Sequence, residues 1–377
     1  MKFLHLSDLH LGKRFYETSL IEDQADILNK IICVIEEEKP DGVLIAGDVY
    51  DKSAPSAEAV QLFDRFLVEL AKRSLQVFVI SGNHDSPERI AFGSNIMNNS
   101  GVYLSPVYDG KITPITLEDK YGKIDVYLLP FVKPSHVRRF FPDEEINSYT
   151  DAVRVAIKNM NVDLSRRNVI VTHQFVTGAI RSESEETVGG TDNVDASVFD
   201  GFDYVALGHL HSRQFCHSDK IKYSGTPLKY SFSEDKDRKC VTVVELFDKG
   251  ENPIIKDVEL LPLRDVKKIK GTFAELTDRS LIDSESAEKD YFQITLTDED
   301  DIPDAMAKLQ RVYKNAMDLK YDNKRTRSES FLSSVNGVEE KSVLELFEEF
   351  FKMQNDSEMS EEQRKFVKDI IEKIEED

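Results

Sequence analysis

Apolar and polar positions fall in blocks along the first two thirds of this chain. FLHL (3–6), VLIA (43–46), VFVI (77–80), VIVT (169–172) and YVAL (204–207) are mostly apolar runs without period-two alternation. That pattern predicts strands buried on both faces. Between the early runs the spacing becomes helical. Ile21, Ala25, Leu28, Ile31, Ile32 and Ile35 share one face over 21–38, and Val60, Phe63, Leu67 and Leu70 share one over 56–73, with Ser53 or Ser56 as N-cap. Cys33 falls among the isoleucines and is expected in the core. A strand–helix–strand order requires parallel strands, and ligands of such sheets bind outside the carboxyl ends.

After Gly101 the segments 123–131, 239–247 and 254–261 read as strands without helices between them, which predicts a second sheet packed on the first. Residues 265–325 read as a small α+β unit, with a strand at 291–297 and a helix from about 303 to 318. Residues 326–337 read as a linker, and 338–377 as two amphipathic helices. No internal repeat is present.

Each of the five buried runs ends in polar residues. Asp8 and His10 follow the first, Gly47-Asp48-Val49-Tyr50-Asp51 the second, Ser81-Gly82-Asn83-His84-Asp85 the third, His173 the fourth and Gly208-His209-Leu210-His211 the fifth. Any one cluster has an ordinary explanation as a turn or a cap. Five of them at carboxyl ends, holding five of the eight histidines, point to one convergent site. His, Asp and Asn without Cys suit Mn²⁺, Fe²⁺ or Zn²⁺ in a catalytic rather than a structural site. A pair of ions needs a bridging carboxylate and terminal ligands on each side. Asp48 can bridge, Asp8 and His10 sit at the edge of one ion, and Asn83 and His173 fit the other. His209 and His211 point the same way in an extended segment, so each can take one ion. His84 has no vacancy in that set. It is expected just beyond the ions, as an acid or charge stabiliser, with Asp51 accepting a hydrogen bond from its other ring nitrogen.

Length and composition bound the rest. The 377 residues predict two or three domains, and no apolar stretch approaches the roughly 20 residues that cross a bilayer. Cys33, Cys216 and Cys240 are scattered, against a disulfide framework or a cysteine zinc site. Met1-Lys2-Phe3-Leu4 runs straight into strand-like sequence without a signal-peptide layout, so the expected location is cytoplasmic. A net charge of −21 is the wrong sign for holding nucleic acid on the chain's own surface. A DNA partner therefore requires metal ions, a local basic patch or a second subunit to offset the repulsion. Lys13, Arg14 and Arg89, with Arg138, Arg139 and Arg181, are the candidate strand-guiding cations.

The set Asp-x-His, Gly-Asp-x-x-Asp, Gly-Asn-His-Asp, a later His and Gly-His-x-His resembles the calcineurin-like metallophosphoesterase superfamily over residues 1 to about 260. The resemblance implies a four-layer αββα sandwich with the dinuclear site at strand ends. It implies Asp8, His10, Asp48 and His211 as ligands of one metal and Asp48, Asn83, His173 and His209 as ligands of the other. It gives His84 the catalytic role, with Asp51 as its partner. SDLHLGKRFYE (7–17), HQFVTGAIRSESEE (173–186), YSGTPLKYSFSE (223–234) and LELFEEFFK (344–352) further resemble the nuclease subunits of bacterial DNA repair complexes. That likeness implies two divalent ions, Mn²⁺ before Mg²⁺ or Fe²⁺, and nucleoid association. It also implies a coiled-coil ATPase partner in a two-plus-two assembly around a homodimer. The implied domains are a nuclease at 1–264, a capping α+β domain at 265–325, the linker, and docking helices at 338–377.

The tail carries 6 basic and 14 acidic residues, yet Leu346, Phe347, Phe350 and Phe351 form one apolar stripe, and Phe366, Val367, Ile370, Ile371 and Ile374 another. The two helices either pack only on each other or lie in a partner's groove. A stand-alone phosphomonoesterase or cyclic-nucleotide phosphodiesterase would use the same site, and a scaffold that has lost its metals would keep the same fold. Residues beyond about 260 favour the nuclease over the first, and the intact His84 and ligand set favour it over the second.

Overall fold

In a computed structural model of the chain, residues 1–180 and 193–323 are described, and beyond them 347–348, 351–352, 358–361 and 363–367. The strands longer than two residues up to position 260 are, in chain order, β1 (Lys2–Leu6), β2 (Gly42–Ala46), β3 (Gln76–Ile80), β4 (Val102–Leu104), β5 (Ile115–Asp119), β6 (Gly122–Leu129), β7 (Arg167–His173), β8 (Tyr204–Gly208), β9 (Gln214–Cys216), β10 (Ser218–Tyr223), β11 (Cys240–Glu245) and β12 (Ile254–Glu259). They form two six-stranded sheets, in the orders β12-β11-β1-β2-β3-β4 and β9-β10-β8-β7-β6-β5. Among the described residues the long helices are α1 (Ile21–Glu38), α2 (Ala57–Lys72) and α3 (Tyr149–Lys158).

Continuous apolar runs are explained by burial on both faces. In β2, Val43 and Ile45 join the core under α1 and α2, whereas Leu44 and Ala46 join the core between the sheets. Val77 and Val79 divide from Phe78 and Ile80 in the same way in β3. A third core covers the outer face of the second sheet, where Ile170, Val205 and Leu207 meet Ala152, Val153 and Ala156 of α3. The order of layers is therefore α–β–β–α. Ser56 caps α2 by accepting from the Ala59 N–H, and Ser148 and Asp151 make a reciprocal capping box on α3.

The five site-bearing strands do not share a sheet. β1, β2 and β3 are parallel neighbours in the first, and β7 and β8 in the second. Their carboxyl ends are level, with Ala46 opposite Ile80 and His173 opposite Gly208. Of the three segments expected in the second sheet, only 123–131 is there, as β6. β11 instead pairs antiparallel with β1, and β12 with β11, extending the first sheet. Periodicity identifies a strand but not its partner, and partner choice is a long-range contact. Cys33 is exposed. Ile31, Val34 and Ile35 of α1 face inward, which at 100° per residue turns position 33 outward.

The chain divides into two compact units. One is 1–268 with 283–293 and 313–317, and the other is 269–282 with 294–312 and 318–377. In the first, Arg264 and the Tyr291 hydroxyl both bond Asp23 of α1, at 2.7 and 3.0 Å. In the second, Ile294, Leu296 and Leu309 are fully buried, and Thr272 and Glu275 form a capping box. The helix expected from 303 to 318 is shorter, Ala305–Leu309, and Asn315–Tyr321 is a strand. It is one of the two edge strands of a three-stranded sheet centred on Tyr291–Leu296. The alternative to that pairing leaves backbone groups of the central strand without partners, which outweighs a helical spacing of apolar residues. The expected linker, 326–337, lies outside the described residues. Among the described residues no helix is long and apolar enough to cross a membrane.

Candidate metal centre

The loops leaving β1, β2 and β3 are laced together by backbone hydrogen bonds. The N–H groups of Asp8, His10 and Leu11 donate to the carbonyls of Gly47, Asp48 and Val49, at 3.0, 2.9 and 2.9 Å. The Asp85 carboxylate accepts from three N–H groups, those of Gly82, Val49 and Tyr50. Asp8, His10, Asp48 and His209 all hold positive φ, at 52°, 44°, 48° and 102°. Such conformations are costly for residues with a side chain and persist where the surroundings over-determine them.

The two sheets meet at this edge. A Cβ on Gly208 would lie 1.9 Å from the Ala46 carbonyl oxygen, so only glycine permits the approach of β8 to β2. Gly82 is equally constrained, because a Cβ there would lie 2.1 Å from an Asp48 carboxylate oxygen. His173 crosses the gap. Its Nδ1 lies 2.8 Å from the Ala46 carbonyl, where it donates, leaving Nε2 facing Asn83 Oδ1 at 2.9 Å and Asp48 Oδ2 at 3.4 Å.

Asp48 is the centre of the cluster. His10 Nε2 is 3.8 Å and His84 Nε2 is 4.0 Å from its Oδ2. The rings fall on its two sides. His10 has His84 and His211 at centroid distances of 4.9 and 5.2 Å, and His173 has His209 at 5.2 Å. His209 Nδ1 approaches Asn83 Oδ1 at 3.0 Å, and its N–H donates to the Asp8 carboxylate. Asp8, His10, Asp48, Asn83, His84, His173, His209 and His211 are thus brought together. The groups His10, Asp48, His84 and Asp8, Asp48, His173 each place ligand atoms within 4.8 Å of one another.

Asp51 is here too, but through a different atom than expected. His84 Nδ1 bonds the Asp51 backbone carbonyl at 3.0 Å. The Asp51 carboxylate instead pairs with Lys13 Nζ at 2.7 Å and faces His10 Nδ1 at 3.8 Å. Lys13 is therefore committed to an ion pair rather than free for a ligand. Arg14 is exposed and bonds the Glu17 carbonyl. Arg89 is exposed in the turn Pro87–Ile90. Arg138 bonds the Ile146 carbonyl, and Arg139 lies over the Phe140 ring. Arg181 lies outside the described residues.

The electrostatics are those of a buried charge cluster. Burial pushes the Asp8 carboxyl up to about 6, with His173 pulling the other way. Burial acts on Asp48 in the same direction, but the charge and hydrogen bond of His173, then His10 and His84, outweigh it and hold Asp48 well below the carboxylate range. Burial would lower His173, yet Asp48 raises it to about 9. His10 is held well below its usual value by burial, so its imidazole is neutral. Both His10 nitrogens are buried without a hydrogen-bond partner. Orphaned nitrogens on a neutral ring, beside carboxylates and an amide oxygen, are the donor set a divalent cation takes.

Four further residues support the site, and of these Gln24 lies in no motif, whereas Tyr230 and Glu234 fall in YSGTPLKYSFSE without a role of their own being legible there. Gln24 of α1 bonds the Gly12 N–H and the His10 carbonyl, at 2.9 and 2.7 Å, and Tyr230 donates to the Leu9 carbonyl at 2.5 Å. Glu234, 1% exposed, accepts from His211 Nδ1 at 3.4 Å and from Lys239 at 2.6 Å. Asp85 belongs to a motif already singled out. A signal for Gln24 existed, because it stands at a helical position level with Ile27 and Leu28 and is polar where they are apolar.

A family model of the calcineurin-like phosphoesterases matches residues 1–213, and one described as the type 5 capsule protein repressor C-terminal domain matches 262–355. The chain is 36% identical to SbcD, the D chain of the SbcCD nuclease of Staphylococcus saprophyticus, over 324 residues, 85% of this chain and 84% of that one. Among solved structures, a dimetal phosphatase from Danio rerio is 14% identical and covers 70% of this chain and 98% of its own, with a TM-score of 0.38. A protein from Thermus thermophilus is 10% identical and covers 68% and 98%, with a TM-score of 0.37. A family model over more than half of the sequence, and a relative aligned along most of it, establish that this chain belongs to the calcineurin-like phosphoesterases, in the SbcD family.

Proposed function

We propose that the chain is a metal-dependent DNA nuclease that hydrolyses phosphodiester bonds, as an endonuclease on single strands and, with an SbcC-like coiled-coil ATPase, as an ATP-gated exonuclease on duplex ends. The observation that carries this reading is the convergence of His10, His84 and His173 on Asp48, with His211 and His209 packed against His10 and His173, in a chain aligned with a named nuclease subunit. In this reading Asp8, His10, Asp48 and His211 hold one divalent ion, and Asp48, Asn83, His173 and His209 the other. Mn²⁺ is the proposed metal. Bound there, the ions supply positive charge to a phosphoryl group and lower the pKa of water.

The protein's own groups do the rest. Asp48 links the two halves of the site. The Ala46 carbonyl holds the His173 tautomer that leaves Nε2 toward the cluster. The Asp51 carbonyl takes the Nδ1–H of His84, so Nε2 is the atom presented to substrate. As imidazolium it protonates a leaving oxygen or donates to a phosphoryl oxygen.

The assembly proposed is a homodimer within a two-plus-two complex, active in DNA repair and recombination. Phe92 and Ile96, 83% and 78% exposed, lie four residues apart just beyond the His84 loop and support a surface for a second copy. Exposure of Phe347 and Phe366 supports the tail as the ATPase-docking element. Leu346, Phe350 and Ile370 of the same stripes lie outside the described residues. The proposed domains are 1–264, 265–325, the linker 326–337 and the docking helices 338–377.

The test is an assay of the purified chain with Mn²⁺ on circular single-stranded DNA and on p-nitrophenyl phosphate. Strand cleavage without monoester turnover is expected, the reverse indicates a phosphatase, and neither indicates a scaffold. Deleting 338–377 should keep single-strand cleavage and abolish co-purification with the ATPase. Unchanged capture would move docking elsewhere, first to 265–325.

A further inference from the structure

On the His211 side of the metal centre lies a cavity of about 310 Å³, walled by His211, Ser212, Arg213, Thr226 and the segment 236–240. The segment is tied to the candidate ligand. Lys239 Nζ and the Thr226 N–H both donate to the His211 carbonyl, at 3.1 and 3.0 Å. Four cations and one carboxylate line the cavity. Two of the cations are committed, Lys239 to Glu234 at 2.6 Å and Arg213 to Asp257 at 3.4 Å. Lys236 and Arg238 are exposed and make no ion pair among the described residues.

A chain of net charge −21 repels a polyanion unless cations are placed where the strand runs. Cutting within a strand requires room and charge for the phosphates beside the scissile one, and such contacts set register without reading sequence. An excess of positive charge in a cavity that shares His211 with the metal centre meets both requirements. We propose that this cavity seats a neighbouring phosphate of the DNA strand under attack, held by Lys236 and Arg238. The proposal rests on the nuclease reading above. The chemistry recognised is a phosphate, which could also arrive as a free nucleotide.

The test compares the full-length chain with the double variant Lys236→Gln/Arg238→Gln in binding a fluorescent oligothymidylate, with EDTA present to prevent cutting, across about 50–200 mM KCl. Each phosphate neutralised contributes about −0.7 to the salt slope on a single strand, so the variant, which loses one phosphate contact, should bind more weakly with a slope flatter by about 0.7. Its Mn²⁺ titration, which reports fold and metal site, should match wild type. A wild-type slope and affinity in the variant would overturn the assignment. So would loss of thymidine monophosphate or inorganic phosphate binding with the oligonucleotide slope unchanged, which would make the cavity a product site. If the wild-type chain with Mn²⁺ leaves DNA intact, the nuclease reading itself fails and takes this inference with it. Equal slopes in a chain that does cut DNA sink the cavity assignment alone.

Discussion

Gln24 is the residue whose replacement most directly separates the metal centre from the fold. Its side chain lies beneath the loop that carries Asp8 and His10. The amide oxygen accepts from the Gly12 N–H, and the amide nitrogen reaches the His10 carbonyl, the Leu9 carbonyl at 3.5 Å and the Tyr230 hydroxyl at 3.2 Å. Gln24→Leu keeps the bulk and removes these bonds. The Gly12 N–H and His10 carbonyl lose short partners, at about 1–3 kcal/mol for each buried group left unpaired, or about 2–6 kcal/mol together. The loop has a way to escape part of that cost. Asp8 and His10 sit at positive φ, which itself costs of order 1–3 kcal/mol per residue. Once unclamped, the loop can relax toward ordinary dihedrals and carry both side chains out of place. We expect about 2 kcal/mol to appear as lost unfolding free energy of the metal-free protein and the remainder as weaker metal binding. At about 1.4 kcal/mol per tenfold, Mn²⁺ affinity should fall roughly 10- to 100-fold, more for the ion beside His10 than for the one beside His173. Urea unfolding and Mn²⁺ calorimetry on the same samples measure the two shares. A variant several kcal/mol less stable with wild-type metal affinity would show that Gln24 supports only the fold. Unchanged stability and unchanged affinity would refute the clamp altogether.

Four further outcomes follow from the geometry. Asp48→Ala should abolish binding of both Mn²⁺ equivalents in calorimetry, whereas His10→Ala should weaken mainly one; two equivalents retained by Asp48→Ala would remove it from the bridging position. His84→Ala should lose roughly 10²–10⁴-fold in turnover while keeping metal affinity, and a large drop in occupancy would put His84 among the ligands. Glu234→Gln removes the charge behind His211 and beside Lys239, so Mn²⁺ affinity at the His10–His211 side should fall about tenfold, with the other ion little changed in the same titration. His5, buried between the sheets against the Tyr204 hydroxyl, is lowered to about 3, chiefly by burial. The unfolded chain, with an ordinary histidine near 6.5, therefore takes up this proton first. The stability involved is fully present above about pH 6.5 and is lost as pH falls toward 3, about 2 kcal/mol by pH 5. Urea midpoints of wild type should drop more between pH 7 and 5 than those of His5→Gln, and parallel curves would contradict the assignment.

Much about this protein was legible in one dimension. Strands such as 43–46 and 77–80 announce themselves because burial on both faces removes every polar residue from the run. A polar residue at such a strand's tip then stands out, and that contrast picked out Asp8, His10, Asp48, Asn83, His173, His209 and His211 before any geometry. The helices α1 and α2 were equally plain, since one apolar stripe at 3.6 spacing is a local property. Partnership was not local. The division of the five strands between two sheets, and the addition of β11 and β12 beside β1, depend on hydrogen bonds between residues far apart in the chain, such as Phe3 and Val244. The same limit applied at the site. Spacing placed Asp51 near His84, but only the folded backbone decided that the carbonyl serves His84 while the carboxylate takes Lys13. Gln24 lies in no motif, and the motif that ends in Glu234 does not show what that carboxylate holds. Their roles arise because tertiary packing buries an amide under one loop and a carboxylate behind one imidazole, where an unpaired polar group would be too costly to leave.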